Sequence, residues 1–186
     1  VITDTDQAGV EDAKEQFDQI LLDMKIAHRD VDLALDGADA IPSLTSYDRV
    51  ILLMPSLDGL GTHLTDIMSW VSAGGSLMFA MPPDNSSYLQ VIAPKLGIES
   101  AGYDYVKAES IVPSEDFMLG GGERYELSDP FDSSLSVSLR ETAREWAKTG
   151  DAGVPLIWSN DCGSGRTLVC NIGVYDKVMR GFYAAA

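Results

Sequence analysis

Apolar positions along this chain recur with two different periods, and their order predicts an architecture. The opening VITDTD reads as the end of a strand, after which Phe17, Ile20, Leu21 and Met24 recur at helical spacing over about Val10 to Met24. KIAHRDVDLAL, with Ile26, Val31 and Leu33 among polar residues, predicts a second strand, and IPSLTSYD a connection. Val50 to Met54 is an unbroken apolar run bounded by Asp48 and Pro55, which suits a strand buried on both faces. SLDGLG then turns the chain, and Leu60, Leu64, Ile67, Met68 and Val71 follow at steps of three and four until Gly74 and Gly75 stop the helix. A second apolar run, Leu77 to Met81, is capped by Pro82 and Pro83. Strand, helix, Gly-Gly, strand is a βαβ crossover, whose handedness places both strands parallel in one sheet. SSYLQVIAPKLG adds a short helix ending at Gly97.

From Tyr103 onward the helical period fades. Ile111 to Leu127, with Pro113 and the glycines 120, 121 and 122, reads as loop-rich, whereas Leu135, Val137 and Leu139 alternate as in a half-exposed strand. RETAREWAKTG carries both helix and strand signals, and the hairpin-like TGDAG after it favours strand. VPLIWSNDCGSGRTLVCNIG predicts a strand, a glycine turn and a second strand. The expected fold class is α/β, with a mostly parallel sheet flanked by helices and a C-terminal β-hairpin extension, in a single domain over residues 1–186.

Charge changes the picture more than bulk composition does. Thirteen Lys and Arg against 29 Asp and Glu give a formal net charge of -16. Such a surface repels phosphate backbones and anionic lipid, so neither nucleic-acid binding nor direct membrane contact by this domain is expected. Hydroxyl-rich or cationic partners stay open. No apolar run approaches the ~20 residues of a membrane span. The start at Val1 and the end at Ala184, Ala185 and Ala186 read as cut points in a longer protein. Cys162 and Cys170 flank the turn at Gly163 to Gly165, in a register setting Cys162 opposite about Thr167 and Cys170 opposite about Ser159. Two free thiols are expected.

Candidate chemistry is sparse. His28 and His63 belong to different elements, and no His lies near either Cys, so no metal site is expected. Gly59-Leu60-Gly61 opens a helix after a strand, but Leu64 stands where a dinucleotide loop needs its third glycine, and no cofactor is expected. Ser164 sits in a hairpin, where small residues serve the turn. Asp58, Asp84 and Asp104 could share one sheet edge, with His63 as the one available general base.

The block YDRVILLMPSLDGLGTHLTDIMSWVSAGGSLMFAMPP resembles the class I glutamine amidotransferase-like superfamily, whose flavodoxin-like domains carry a strand, a helix ending in W-V-x-x-G-G, and another strand. Trp70-Val71-Ser72-Ala73-Gly74-Gly75 matches that wording. Active members carry a catalytic Cys at the next strand's elbow and a later His and Glu. Here the elbow is Met81-Pro82-Pro83-Asp84, and no His follows His63, so the resemblance implies the fold without the amidase activity. The tail PLIWSNDCGSGRTLVCNIGVYDKVMRGFYAAA resembles an uncharacterised bacterial family in which such a domain precedes a polysaccharide-deacetylase-like domain, in proteins associated with exopolysaccharide production. Gly163, Gly165, Asn171, Asp176, Lys177, Arg180 and Gly181 carry that resemblance.

Taken with the resemblance, these readings imply a non-catalytic binding or regulatory domain of a larger bacterial cell-envelope protein. It would be extracytoplasmic and anchored through a segment outside this chain, with the downstream deacetylase-like domain and a polysaccharide or cationic sugar as partners. The alternatives are a hydrolase with a rearranged site at Asp58, His63 and Asp84, and a structural spacer. In open parallel sheets, ligands gather at the carboxyl ends of the strands. That rule selects Ser56, Asp58, Gly59, His63, Asp84 and Asn85 as the ligand-binding residues.

Overall fold

A computed structural model describes residues 1–117 and 121–172, with backbone alone at 103–105 and 128–134. Val10, Ala13, Phe17, Ile20 and Leu21 form the buried stripe of α1 (Val10–Asp23). That helix follows β1 (Ile2–Thr3) and leads towards β2 (Val31–Asp32). The apolar run after Asp48 is β3 (Arg49–Leu53), and the run after Gly75 is β4 (Ser76–Phe79). Between them lies α3 (His63–Ser72), which buries Leu64, Ile67, Met68 and Val71 on one stripe, as the spacing requires. β3 and β4 pair in parallel, Val50 opposite Leu77 and Leu52 opposite Phe79, so the predicted crossover is present. The short helix before Gly97 is α4 (Ser87–Ile92), capped by the Ser86 hydroxyl accepting from the Leu89 N–H.

The second strand is shorter than expected. Lys25 takes a left-handed conformation (φ 57), and Asp32 accepts a hydrogen bond from the Ala34 N–H, starting the helical turn α2 (Leu33–Asp36). Leu33 therefore leaves the strand, and Ile26 stays exposed.

The loop-rich reading after Tyr103 is also corrected. β5 (Ile98–Pro113) and β6 (Tyr125–Leu139) form a long antiparallel pair that takes in both ends of the segment read as loop. Irregularities at four places in their register break the alternation that would have shown them as strands. Farther along, β7 (Ala143–Thr149), β8 (Pro155–Cys162) and β9 (Gly165–Cys170) take the predicted strand assignments.

Among the described residues, nine strands form one sheet in the order β2-β1-β3-β4-β9-β8-β7-β5-β6. β2, β1, β3, β4 and β9 run parallel, and every pairing from β9 to β6 is antiparallel. The sheet is thus mixed rather than mostly parallel. Nor is the terminal hairpin an extension: β9 enters beside β4, Leu77 opposite Thr167 and Phe79 opposite Val169. Leu156, Ile157, Trp158, Thr167, Val169 and Cys170 are accordingly all buried.

Glycine makes that insertion fit. Gly163 has φ +65, and the Ser164 and Arg166 N–H groups donate to the Ser72 and Gly75 carbonyls (3.0 and 3.1 Å). The Ser164 bond thus satisfies a carbonyl that the end of α3 leaves open, and the Arg166 bond leads into the β4–β9 pairing. The turn is tighter than expected: Cys162 faces Gly165 and Cys170 faces Ile157, while Thr167 faces Asn160. Both thiols are free and buried. Behind the hairpin, the buried Asn171 side chain accepts from the Leu135 N–H and donates to the Leu135 and Pro155 carbonyls, tying β6 to the start of β8.

Candidate functional site

Strand order places the reversal point of the parallel half between β1 and β3, where their carboxyl ends would leave a crevice for a ligand. The chain's own side chains fill it. The Ser56 N–H donates to Gln7 Oε1 (2.8 Å), while Gln7 Nε2 donates to the Ser56 carbonyl (3.0 Å) and to Asp4 Oδ2 (2.9 Å). Gly59 stands so close that a Cβ there would meet Asp4 Oδ2 and Leu33 Cδ1 at 3.2 Å. Beside it, Asp32 accepts from the Thr5 N–H, the Thr5 hydroxyl and the Ala34 N–H. Although partial burial opposes its charge, these bonds hold the Asp32 carboxyl below its ordinary value.

The expected ligand residues are distributed over this edge. Asp58 is exposed and opens a single 3-10 turn, Asp58–Leu60. The Asp84 N–H donates to the Pro55 carbonyl (2.9 Å), joining the loops that follow β3 and β4. Asn85 donates to the Ala101 and Gly102 carbonyls and accepts from Gln90, so its amide tethers β5. The Asp104 side chain lies outside the described residues, as do Gly120, Asp176, Lys177, Arg180 and Gly181.

His63 turns elsewhere. Its Nε2 is 3.5 Å from Asp39 Oδ1, and its ring borders a cleft of ≈ 320 Å³ between α3 and the segment 41–45. From α3 the cleft receives His63, Asp66 and Trp70, at spacings of three and four, together with the edge of Ile67 from the buried stripe. Ser43 and Thr45 face them from the connection, with their hydroxyls 3.0 Å apart. Trp70 is seated by Gly75, where a Cβ would lie 2.4 Å from the indole. An aromatic face, a carboxylate, an imidazole and hydroxyls thus share one open hollow. Across α3, a second groove of ≈ 310 Å³ is lined by Leu64, Met68, Tyr88, Val91 and Ile92.

Sequence reasoning reached His63 but missed its neighbours. The steps from His63 to Asp66 and Trp70 were visible; that the 41–45 segment lies over them was not. Gln7 and Asp32 gave no motif, because the partners Ser56 and Thr5 lie 49 and 27 residues away from them. Among the described residues no helix is long and apolar enough to cross a membrane.

These features define an α/β domain with a self-closed sheet edge and an open lateral cleft. Residues 1–140 match the model of a family described as "Uncharacterised protein conserved in bacteria (DUF2194)", and the chain belongs to that family. Among curated proteins, no sequence matches it. Solved structures share the fold at low identity. Cytoplasmic Protein STM1381 from Salmonella typhimurium LT2 is 15% identical at TM-score 0.69, over 93% of this chain and 84% of that one. A β-galactosidase from Rahnella sp. R3 is 22% identical at 0.67, over 97% and 27%. The exo-β-1,4-mannosidase Op5Man5 from Opitutaceae bacterium strain TAV5 is 19% identical at 0.60, over 95% and 28%. The chain therefore spans little more than a quarter of either glycosidase.

The family match corrects the resemblance read from the sequence. Neither a class I glutamine amidotransferase nor a deacetylase-bearing family is supported; the bacterial family above takes their place. Packing accounts for the misleading block. Gly75 makes room for the Trp70 ring, and a Cβ at Gly165 would lie 2.2 Å from the Gly75 carbonyl oxygen, so the W-V-x-x-G-G wording follows from a helix stop under a hairpin.

Proposed function

We propose that this domain is a non-catalytic binding or regulatory module of a larger bacterial cell-envelope protein of polysaccharide metabolism, and that it binds a hydroxyl-rich or amino-sugar ligand in the cleft along α3. The observation that carries this reading is the Trp70, Asp66 and His63 stripe facing Ser43 and Thr45. An indole face suits the apolar face of a sugar ring, and carboxylate, imidazole and hydroxyl groups suit its hydroxyls. The net charge of -16 favours a cationic amino sugar over an acidic one. Both glycosidases above share this fold over about a quarter of their length, which supports a role beside carbohydrate chemistry.

Binding is favoured over turnover by the state of the nucleophiles. Cys170 is fully buried, and desolvation pushes its thiol well above the usual range. Cys162 is buried too, and Ser164 serves the hairpin.

Titration with glucosamine oligomers, followed by backbone amide shifts, tests the proposal. Changes should centre on residues 39–45 and 63–70 and vanish in Trp70→Ala. No change at millimolar oligomer, as a structural spacer would give, overturns it. So does amide or ester hydrolysis that disappears in His63→Ala.

A further inference from the structure

The cleft along α3 carries a charge pattern that narrows what it can hold. Asp66 lies in the first turn of the helix, three residues after His63 and four before Trp70, so the three share one stripe. Asp66 is exposed, and among the described residues no hydrogen bond or ion pair meets its carboxylate. A second carboxylate, the fully exposed Asp39, stands at the rim, 3.5 Å from His63 Nε2. Among the described residues no Lys or Arg lines the cleft.

Trp70 supplies the other half of the pattern. A Cβ at Gly75 would lie 2.4 to 2.5 Å from three atoms of the indole, so one ring face rests on that glycine and the opposite face is left to the cleft. Side chains four residues apart on a helix stand ~6 Å apart at Cβ, which lets one ammonium meet the Asp66 carboxylate and the Trp70 ring together. Carboxylate and indole face both attract a cation more than a neutral amide.

We propose that this cleft recognises the free amine of an amino sugar, Asp66 pairing with the ammonium while the Trp70 ring lies against it, and that it discriminates against the N-acetylated and the uncharged forms of the same sugar. This rests on the sugar-binding reading above and adds the group that is recognised and the residue that recognises it. Acetylation removes the charge, and with it both attractions. An exposed ion pair is worth up to about fivefold in affinity, and an exposed cation–π contact about two- to fivefold. Together they set a preference of about tenfold.

Short β-1,4-linked oligomers of glucosamine, N-acetylglucosamine and glucose, titrated at about pH 6, below the ~7.7–8.0 of an α-amino group, test this assignment. Amide shifts over residues 63–70 should report the glucosamine oligomer binding about tenfold tighter than the other two, with a preference that shrinks as salt is added. In Asp66→Asn its affinity should fall about fivefold while the other two oligomers bind as before. Glu15→Gln, which removes an exposed charge on α1, should leave the preference intact, and circular dichroism should show each variant folded. Equal affinity for the three oligomers, a preference kept in folded Asp66→Asn, or an equal loss in Glu15→Gln overturns the recognition of the amine and leaves the sugar-binding reading standing. No binding of any oligomer at millimolar concentration overturns both.

Discussion

Gly165→Ala isolates the contact on which the insertion of β9 depends. A Cβ there would lie 2.1 Å from the Val71 carbonyl oxygen, 2.2 Å from that of Gly75 and 3.0 Å from the Gly74 carbonyl carbon. All three are backbone atoms, so no rotamer change relieves the overlap. The hairpin must back away from α3 by about 1 Å, since non-bonded atoms rest ~3.5 Å apart. That movement stretches the Ser164 and Arg166 hydrogen bonds to Ser72 and Gly75, now 3.0 and 3.1 Å. Overpacking costs about 1–3 kcal/mol and each lost hydrogen bond about 1 kcal/mol, giving about 3–5 kcal/mol in total. Gly153→Ala is the control: Gly153 has φ +66 with nothing near its Cβ position, so it should lose only the ~1–2 kcal/mol of a left-handed alanine. Urea unfolding, followed by the fluorescence of the chain's tryptophans and by circular dichroism, measures both where the two probes coincide. A Gly165→Ala loss no larger than that of Gly153→Ala would refute the close-packing account.

Asp32 predicts an acid limb of stability. Its carboxyl is held below the ordinary value, so its contribution is present above the unfolded-state value near ~4 and is lost as pH falls through the lower folded-state value. Asp32→Asn should therefore separate from the parent chain at neutral pH and converge with it in acid; urea midpoints that diverge as pH falls would contradict this. A thiol reagent should count two thiols per chain in denaturant without reductant and react slowly with the native protein, because Cys162 and Cys170 are both buried. A count of zero would show a disulfide.

Much of the parallel half was legible because its signals are local. Val50 to Met54 is apolar without a break, Leu64 to Val71 keeps helical steps, and Gly74 and Gly75 mark the stop between them. The antiparallel half was only partly legible. β5 and β6 pair through register irregularities, which scramble a two-residue period even though Ala108 and Ser110 point inward while Lys107 and Glu109 point out. The place of β9 was not legible at all. Local pattern predicts a hairpin, but only tertiary packing decides that one arm joins β4, whose paired residues lie 90 positions earlier.

The same division governs the candidate site. A topological rule selected the carboxyl edge, and the strand order does put a reversal point there. What the rule leaves out is hydrogen-bond satisfaction. The Gln7 side-chain amide both donates to and accepts from the backbone of Ser56, and it also donates to Asp4. A ligand entering that crevice would have to replace three hydrogen bonds, each worth about 1 kcal/mol net and more if left unmade. The cleft along α3 imposes no such exchange, because its Ser43 and Thr45 hydroxyls bond one another in the open and its His63 meets an exposed carboxylate. Polar groups open to water are the ones a sugar could take over at least loss, which is why the proposed ligand is set on the flank of α3 rather than at the strand ends.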